Sequence, residues 1–142
     1  MEWWAPPLHL GDVLHKHYEV IHKLGSGGYA SVWLCFDTTS DLKQFVAVKI
    51  TMAEGSTVDR PELRVTTLKA LGLVEGPLAE HFCLPLDRFD VNGPNGRHYA
   101  FVYPVLGPCV SRLLHVEMSQ EHGKVMRQLS LQVTKAMAAL HK

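Results

Sequence analysis

Three short segments rich in β-branched and aromatic residues follow one another in the first third of the chain. They cover residues 18–24, 31–36 and 44–50. Such composition is typical of β-strands. The segments between them carry either several glycines or the run Asp37-Thr38-Thr39-Ser40-Asp41, and both compositions favour turns. The pattern therefore predicts two antiparallel hairpins that share their middle strand.

The rest of the chain predicts a helix, two more strands and a second helix. Leucines at positions 63, 68 and 71 predict a helix over residues 58–71. Residues 82–89 and 97–103 predict strands, because the Asn- and Gly-rich segment 92–96 between them favours a tight turn. Residues 124–141 have the clearest helical pattern, with apolar side chains along one face. This order of elements predicts an α+β fold.

Composition and charge narrow the class of protein. The 142 residues are 46% apolar and 20% charged with a formal net charge of zero, which is typical of a globular chain. We expect neither a nucleic-acid partner nor a membrane partner, because both need a basic surface or a long apolar run. The chain does not begin with the pattern of a signal peptide. We therefore expect an intracellular protein, located in the cytoplasm, the nucleus or both.

The cysteines and histidines do not predict a metal site. Cys35, Cys83 and Cys109 are far apart, which favours reduced thiols over a disulfide or zinc framework. The nine histidines lack the paired spacing and carboxylate support of a metal-binding helix. No metal ligands are predicted.

A glycine-rich segment between the first two predicted strands is the first candidate for chemistry. Gly25, Gly27 and Gly28 lack side chains that would keep backbone N–H groups away from a phosphate. A dinucleotide-binding loop is followed by a helix, and a Walker loop contains Gly-Lys-Ser/Thr. Neither pattern is present here. A glycine loop between two antiparallel strands is typical of the loop that covers the nucleotide in protein kinases.

A lysine on the third predicted strand is the second candidate. Lys49 stands in the sequence Val46-Ala47-Val48-Lys49-Ile50, where apolar neighbours make a buried ammonium costly unless it meets an anion. A strand-edge lysine that reaches solvent is the alternative. The combination of Lys49 with the glycine loop favours contact between Lys49 and a phosphate.

Several further motifs resemble one family. They are Gly11-Asp12, Tyr18-Glu19-Val20, Lys23-Leu24-Gly25, Ser31-Val32-Trp33-Leu34, Gly93-Pro94-Asn95-Gly96-x-His98 and Leu106-Gly107-Pro108. Together with Lys49 they resemble the amino-terminal lobe of a eukaryotic protein kinase and are most similar to the SR-protein kinase group, as found in fungi. The resemblance covers nearly the whole chain.

The resemblance implies an architecture. We expect an amino-terminal extension at residues 1–17 and a kinase amino-terminal lobe at residues 18–106. This lobe is an α+β fold with a five-stranded antiparallel sheet and one helix. Residues 107–142 would form the first helices of an incomplete carboxyl-terminal lobe.

The resemblance also implies an ATP site. The glycine loop, including Ala30 where the family pattern has its third glycine, would cover the triphosphate, while Leu24, Val32 and Ala47 would enclose the adenine. Tyr103 would guard the back of the pocket, Pro104 would begin the hinge, and Leu106 would donate its N–H to the adenine ring. Lys49 would contact the α- and β-phosphates. The expected ATP-binding residues are Leu24, Gly25, Ser26, Gly27, Gly28, Tyr29, Ala30, Val32, Ala47, Lys49, Tyr103, Pro104 and Leu106.

The glutamate partner of Lys49 has three interpretations. Glu62 fits the family pattern, but Pro61 before it suits only the first turn of a helix. The helix therefore starts late and Glu62 forms the pair, or Glu54 takes the part, or the pair does not form. A glutamate exposed to solvent at a helix start fits the sequence equally well.

The residues that transfer the phosphate are not in this sequence. It contains neither a His-Arg-Asp nor an Asp-Phe-Gly motif, which supply the base and the magnesium ligand in the family. We therefore expect a serine/threonine protein kinase by family, truncated and inactive as this chain. Its partners would be ATP, and a protein substrate, Arg/Ser-rich by the resemblance. The alternative is a non-catalytic, kinase-like interaction module, and a fold without any site is a third possibility that the glycine loop and Lys49 disfavour.

Overall fold

A computed structural model describes residues 6–39, 44–53, 61–72, 82–107 and 122–140 of the chain. Within these residues the first half of the chain is mostly β-structure and the last described segment is a helix. The elements are β1 (Val13–Leu14), β2 (Tyr18–Ser26), β3 (Ala30–Asp37), β4 (Phe45–Thr51), α1 (Pro61–Ala70), β5 (Asp87–Gly93), β6 (Gly96–Pro104) and α2 (His122–Leu140).

The strands form one antiparallel sheet in the order β1-β2-β3-β4-β6-β5. The α+β fold with an antiparallel sheet is thus confirmed, with six strands instead of the five expected. The additional strand β1 has only two residues, and a pattern of alternation cannot be recognised in so short a segment. It pairs with the start of β2 through Leu14 and Tyr18.

The predicted strand at residues 82–89 is wrong in position, because β5 begins only at Asp87. Pro85 lies within the predicted segment and has no N–H to give to a strand ladder. The ladder starts after it, and the Leu86 N–H donates to the Val102 carbonyl at 2.7 Å. From there β5 pairs with β6 down to a tight turn at Gly93 and Gly96. Gly96 has a φ of 116°, which favours glycine.

The sheet has two faces of different character. One, the core face, carries the main hydrophobic core; its members are Leu14, Tyr18, Val20, Cys35, Val46, Val48, Ile50, Phe89, Ala100 and Val102. Side chains alternate along a strand, so Ala47 and Lys49 of β4 point to the opposite face. We call this second face the helix face, because Glu62 of α1 contacts Lys49 there.

The helix α1 is short, and several of its side chains contact the sheet or the segment before β5. Leu63 is its buried residue, and Lys69 Nζ donates to the Pro85 carbonyl at 2.9 Å. Pro61 is the first residue of the helix, where its missing N–H costs nothing because no intrahelical bond is made there. The predicted residues 58–60 lie outside the described part of the chain. Because helices of this length are marginal in water by themselves, α1 depends on these contacts.

The chain divides into two compact units. The first consists of residues 1–73 and 84–105 and contains the sheet and α1; the second consists of residues 74–83 and 106–142 and contains α2. The described side chains of α2 include exposed apolar groups, among them Val125, Leu131 and Val133. Among the described residues we found no helix that is both long and apolar enough to span a membrane.

Candidate functional site

Lys49 is positioned by strand β4 in the middle of the sheet. It pairs with Val32 of β3 on one side and with Phe101 of β6 on the other. Phe101 is fully buried, whereas the Lys49 side chain is 33% exposed. The stem of Lys49 is therefore enclosed by the sheet while its ammonium reaches the edge of the solvent, which is the arrangement expected of a long cationic side chain on an apolar surface.

Glu62 lies within direct reach of that ammonium. Lys49 Nζ donates to Glu62 Oε1 at 2.8 Å, and the Glu62 side chain is 24% exposed. This distance is typical of a charge-assisted hydrogen bond. The structure thus brings together the pair that Pro61 had put in question, because the helix begins at that proline. Glu54, the alternative partner, lies outside the described residues.

The glycine loop is a hairpin tip between β2 and β3. The Gly27 N–H donates to the Ala30 carbonyl at 2.9 Å, and the Met52 N–H donates to the Tyr29 carbonyl at 3.0 Å. The Gly27 N–H is therefore already used inside the loop, and Gly28 and Tyr29 form its tip. The ladder below the tip pairs Gly25 with Val32 and Ser26 with Ser31.

Glycine is not required at these positions by contacts with the described residues. A Cβ atom added at Gly25, Gly27 or Gly28 would meet no atom of these residues within 4 Å. In addition, none of the three has a positive φ. Neither packing nor backbone conformation in the described structure explains the glycines, and open space lies where side chains would otherwise stand.

A partly exposed apolar strip lies beside Lys49 on the helix face. Ala47 pairs with Leu34 of β3 and with Tyr103 of β6, so these three side chains share that face. Val32 belongs to it as the partner of Lys49, and all four are half-buried. Leu24 is 49% exposed and lies at the irregularity in the β2–β3 register between Lys23 and Gly25.

The predicted hinge residues follow β6. Pro104 is the last residue of β6 and pairs with Val46. Leu106 comes two positions later, is 67% exposed and belongs to the second unit.

Sequence reasoning missed one buried polar residue near the site. His98 is fully buried, and its Nδ1 lies 2.8 Å from the Thr51 carbonyl oxygen, so this nitrogen carries the proton and donates it. Its Nε2 has no hydrogen-bond partner among the described residues. The contact ties β6 to the end of β4, two residues beyond Lys49. In the sequence, His98 belongs to a motif that resembles the family, but a sequence does not show which histidine is buried.

Two buried groups have raised pKa values. Burial raises the pKa of the Cys35 thiol to about 12. Burial, with the nearby carboxylates of Asp87 and Asp37, raises the pKa of Tyr18 to about 12. Both groups stay protonated at neutral pH and act as core residues. The described residues contain no cluster of three or more His, Cys, Asp or Glu that could hold a metal ion.

Comparison with known proteins finds protein kinases among the relatives of this chain. The chain is 34% identical over 141 residues to the serine/threonine-protein kinase spk-1 of Caenorhabditis briggsae, which covers 95% of this chain and 12% of that protein. It is 36% identical over 106 residues to human SRSF protein kinase 3, covering 71% of this chain and 18% of the relative. A serine/threonine protein kinase of Aspergillus fumigatus is 34% identical over 113 residues, which are 78% of this chain and 26% of that protein.

The fold comparison agrees with these relatives. A crystallised kinase domain superimposes with a TM-score of 0.72 at 19% identity, over 99% of this chain and 40% of that one. No family model matches the chain. The chain spans only 12–26% of the length of the relatives described above. By sequence and fold together, the chain is a homologue of the SR-protein kinases and related serine/threonine protein kinases, and it corresponds to part of a protein-kinase domain.

Proposed function

We propose that this chain forms the ATP-binding portion of a serine/threonine protein kinase that resembles the SR-protein kinases. The observation that carries the proposal is the contact between Lys49 and Glu62 at 2.8 Å beside the glycine loop. A lysine held by a carboxylate keeps its position, as needed to bind the α- and β-phosphates of a nucleotide. Lys49 pairs in the ladder with Val32, which also pairs with Gly25, so the glycine loop and Lys49 adjoin within one sheet.

The residues present fit a nucleotide. The open space at Gly25, Gly27 and Gly28 leaves room for phosphate groups next to the hairpin tip. Ala47 is the smallest side chain of the apolar strip, and a flat purine ring packs against such a surface without losing its edge hydrogen bonds. Because the Gly27 N–H is occupied by Ala30, the tip residues Gly28 and Tyr29 are the better donors to a phosphate oxygen. Within the first unit, the proposed site consists of Leu24 to Ala30, Val32, Ala47, Lys49, Tyr103 and Pro104. The role of Leu106 in binding the adenine stays a prediction.

The role of this portion is to bind and orient ATP. Glu62 holds Lys49, Lys49 neutralises phosphate charge, and the apolar strip excludes water from the adenine. ATP supplies the phosphoryl group, and in the protein-kinase family magnesium accompanies it. In the family, the base that accepts the hydroxyl proton and a magnesium ligand belong to His-Arg-Asp and Asp-Phe-Gly motifs, which this sequence does not contain. For the whole enzyme we propose transfer of the phosphoryl group to serine or threonine of an Arg/Ser-rich protein. The intracellular location stays a prediction.

The proposed domain division has three consecutive parts. Residues 18–106 are proposed as the amino-terminal lobe, with 1–17 as an extension and 107–142 as the start of the carboxyl-terminal lobe. The extension contributes β1 to the same sheet, through the pair Leu14 and Tyr18.

Titration with Mg-ATP tests the proposal. We expect weak binding by the purified chain, with a Kd of about 1 mM, measured by saturation-transfer NMR on the adenine protons. Lys49→Met is expected to weaken it about tenfold. Lys16→Met, which removes an exposed lysine from the turn between β1 and β2, is the matched control and should leave the affinity unchanged. Equal transfer to the Lys49→Met variant would contradict the assignment.

A non-catalytic interaction module remains the second candidate, because α2 exposes Val125, Leu131 and Val133 by 40%, 55% and 62%. Exposed apolar side chains along one helix favour binding to another protein surface. This candidate predicts a chain that shows no adenine contact with Mg-ATP.

A further inference from the structure

One peptide group at the end of β4 joins the glycine loop to strand β6. It is the peptide between Thr51 and Met52. Its N–H, which belongs to Met52, donates to the Tyr29 carbonyl at 3.0 Å. Its C=O, which belongs to Thr51, accepts from His98 Nδ1 at 2.8 Å. A trans peptide is planar, and its C=O and N–H point in opposite directions. The bond from His98 therefore fixes the direction in which the N–H points toward the tip of the loop.

Side-chain hydrogen bonds hold this end of β4 to β6. The backbone ladder between the two strands extends only to the pair of Ile50 with Ala100. Beyond that pair, His98 donates to the Thr51 carbonyl, and Thr51 Oγ1 donates to the Tyr99 carbonyl at 3.2 Å. Thr51 and His98 are both fully buried. Loss of the His98 donor would leave a buried carbonyl oxygen without this partner, which favours any movement that exposes the carbonyl to water.

The tip of the glycine loop has little packing to hold it in place. Tyr29 is 79% exposed, and a Cβ atom added at Gly27 or Gly28 would meet no described atom within 4 Å. The bond from the Gly27 N–H to the Ala30 carbonyl lies inside the loop and does not connect it to another strand. The bond from Met52 reaches the tip from β4 and therefore limits the motion of the tip.

His98 lies on the face of the sheet opposite to the proposed nucleotide site. It alternates with Ala100 and Val102 of the core face, whereas Lys49 belongs to the helix face. We propose that His98 is a positioning residue for the glycine loop, and that it acts on the tip through the peptide that joins β4 to the loop. The effect of His98 on nucleotide affinity rests on the proposed ATP site, whereas its effect on the loop does not.

The position of the donor distinguishes this role from simple filling of space. The His98 ring is closely enclosed, because a Cβ atom added at Gly93 would lie 3.2 Å from Nε2. The donor that reaches the Thr51 carbonyl is Nδ1, which is bonded directly to Cγ. The amide nitrogen of an asparagine is bonded to Cγ in the same way, whereas that of a glutamine lies one bond further from the backbone. We therefore expect asparagine to replace His98 and glutamine to fail.

Amide exchange of the nitrogen-labelled whole chain, followed by NMR without nucleotide, tests the proposal. We expect the Met52 amide to exchange about tenfold faster in His98→Leu and in His98→Gln, because it leaves the Tyr29 carbonyl more often. In His98→Asn the rate should stay within about twofold of that of the unsubstituted chain. The amide of Val48 in the core of β4 is the reference for global opening, and urea unfolding confirms that each variant is folded.

Val91→Ala is the matched control. Val91 pairs with His98 across β5 and β6 and packs against the core, so its truncation loosens the same region and leaves the donor in place. The Met52 amide should keep its rate relative to Val48 in this variant.

Titration of the same variants with Mg-ATP tests the consequence for the nucleotide. A loop that spends less time in its covering position binds the nucleotide more weakly in the same proportion. We expect about fivefold lower affinity in His98→Leu and His98→Gln, and unchanged affinity in His98→Asn and Val91→Ala. If the unsubstituted chain does not bind Mg-ATP, the proposed function fails, while the amide rates still decide the role of His98 in the loop.

Three results would overturn the proposal. One is an equal rate of Met52 exchange in His98→Leu and in the unsubstituted chain. Another is equal protection of Met52 in His98→Asn and His98→Gln, because the place of the donor would then have no effect. The third is unchanged Mg-ATP affinity in His98→Leu, in a chain that binds Mg-ATP, although Met52 exchanges faster.

Discussion

Removal of the Lys49–Glu62 contact is expected to loosen α1 while the sheet stays folded. The helix is held by the buried Leu63, by the bond from Lys69 to the Pro85 carbonyl and by this ion pair. A helix of ten residues is marginal without such contacts. The sheet has its own core of buried side chains on the opposite face, which the substitution does not touch.

The magnitude follows from the burial of the pair. Its side chains are 33% and 24% exposed, between a surface pair and a buried one. Surface pairs contribute about 0.2–1 kcal/mol, and breaking a buried pair costs about 3–5 kcal/mol. We expect a coupling free energy of about 1 kcal/mol, which corresponds to roughly fivefold faster opening of the helix.

Hydrogen–deuterium exchange with mass spectrometry measures this directly. The amides of α1 should exchange about fivefold faster in Lys49→Met, in Glu62→Gln and in the double variant, with non-additive effects. The core strands β3 and β4 should keep their protection. Lys16→Met makes the same substitution at an exposed position and should change nothing.

Two results would refute this reasoning. If the two single substitutions add within about 0.3 kcal/mol, the side chains do not interact in solution. If the sheet and α1 lose protection together, the helix is not a separately opening element.

Three other predictions concern the core. His98→Leu should lower the free energy of unfolding in urea by about 1–3 kcal/mol, because the Thr51 carbonyl loses its hydrogen-bond donor. His98→Asn can present an N–H at the same place and should cost less. Equal losses of stability in the two variants would contradict this. The exposed thiol of Cys83 should react with iodoacetamide at about pH 8 much faster than Cys35, because burial raises the pKa of the Cys35 thiol. Peptide mass spectrometry after partial labelling measures the two rates. Faster labelling of Cys35 would contradict the prediction. The pKa of Tyr18 is raised from 10.0 to about 12, so the stability that its neutral form contributes is fully present below pH 10 and is lost as the pH rises through 12. In unfolding measured against pH, Tyr18→Phe should reduce this loss of stability. An unchanged slope in the variant would show that Tyr18 is not the source of the loss.

Most of the sheet could be predicted from the sequence because its signals are local. The alternation of Val46, Val48 and Ile50 with Ala47 and Lys49 sets the two faces of β4 and is visible without a structure. The predicted start of β5 at residue 82 is wrong, because Pro85 cannot donate to the strand ladder and the strand begins only at Asp87. The short β1 was missed, since its pairing with β2 is a tertiary contact.

The candidate site was only partly predictable. The glycine loop and Lys49 are both recognisable from local sequence patterns, so their chemistry could be inferred. The Glu62 partner depended on where α1 begins relative to Pro61, and helix boundaries are set by contacts that a single sequence does not show. His98 was missed for a related reason: its burial arises only when β4, β5 and β6 are brought together.

Contact of the glycine loop and Lys49 with ATP can be observed residue by residue. The measurement is nitrogen–proton correlation NMR of the labelled chain, titrated with Mg-ATP to about 5 mM. We expect shifts that concentrate at Gly25 to Ala30, Ala47, Lys49 and Tyr103, that are less than half as large in Lys49→Met and that keep their size in Lys16→Met. Absence of shifts at these amides, or equal shifts in both variants, would contradict it.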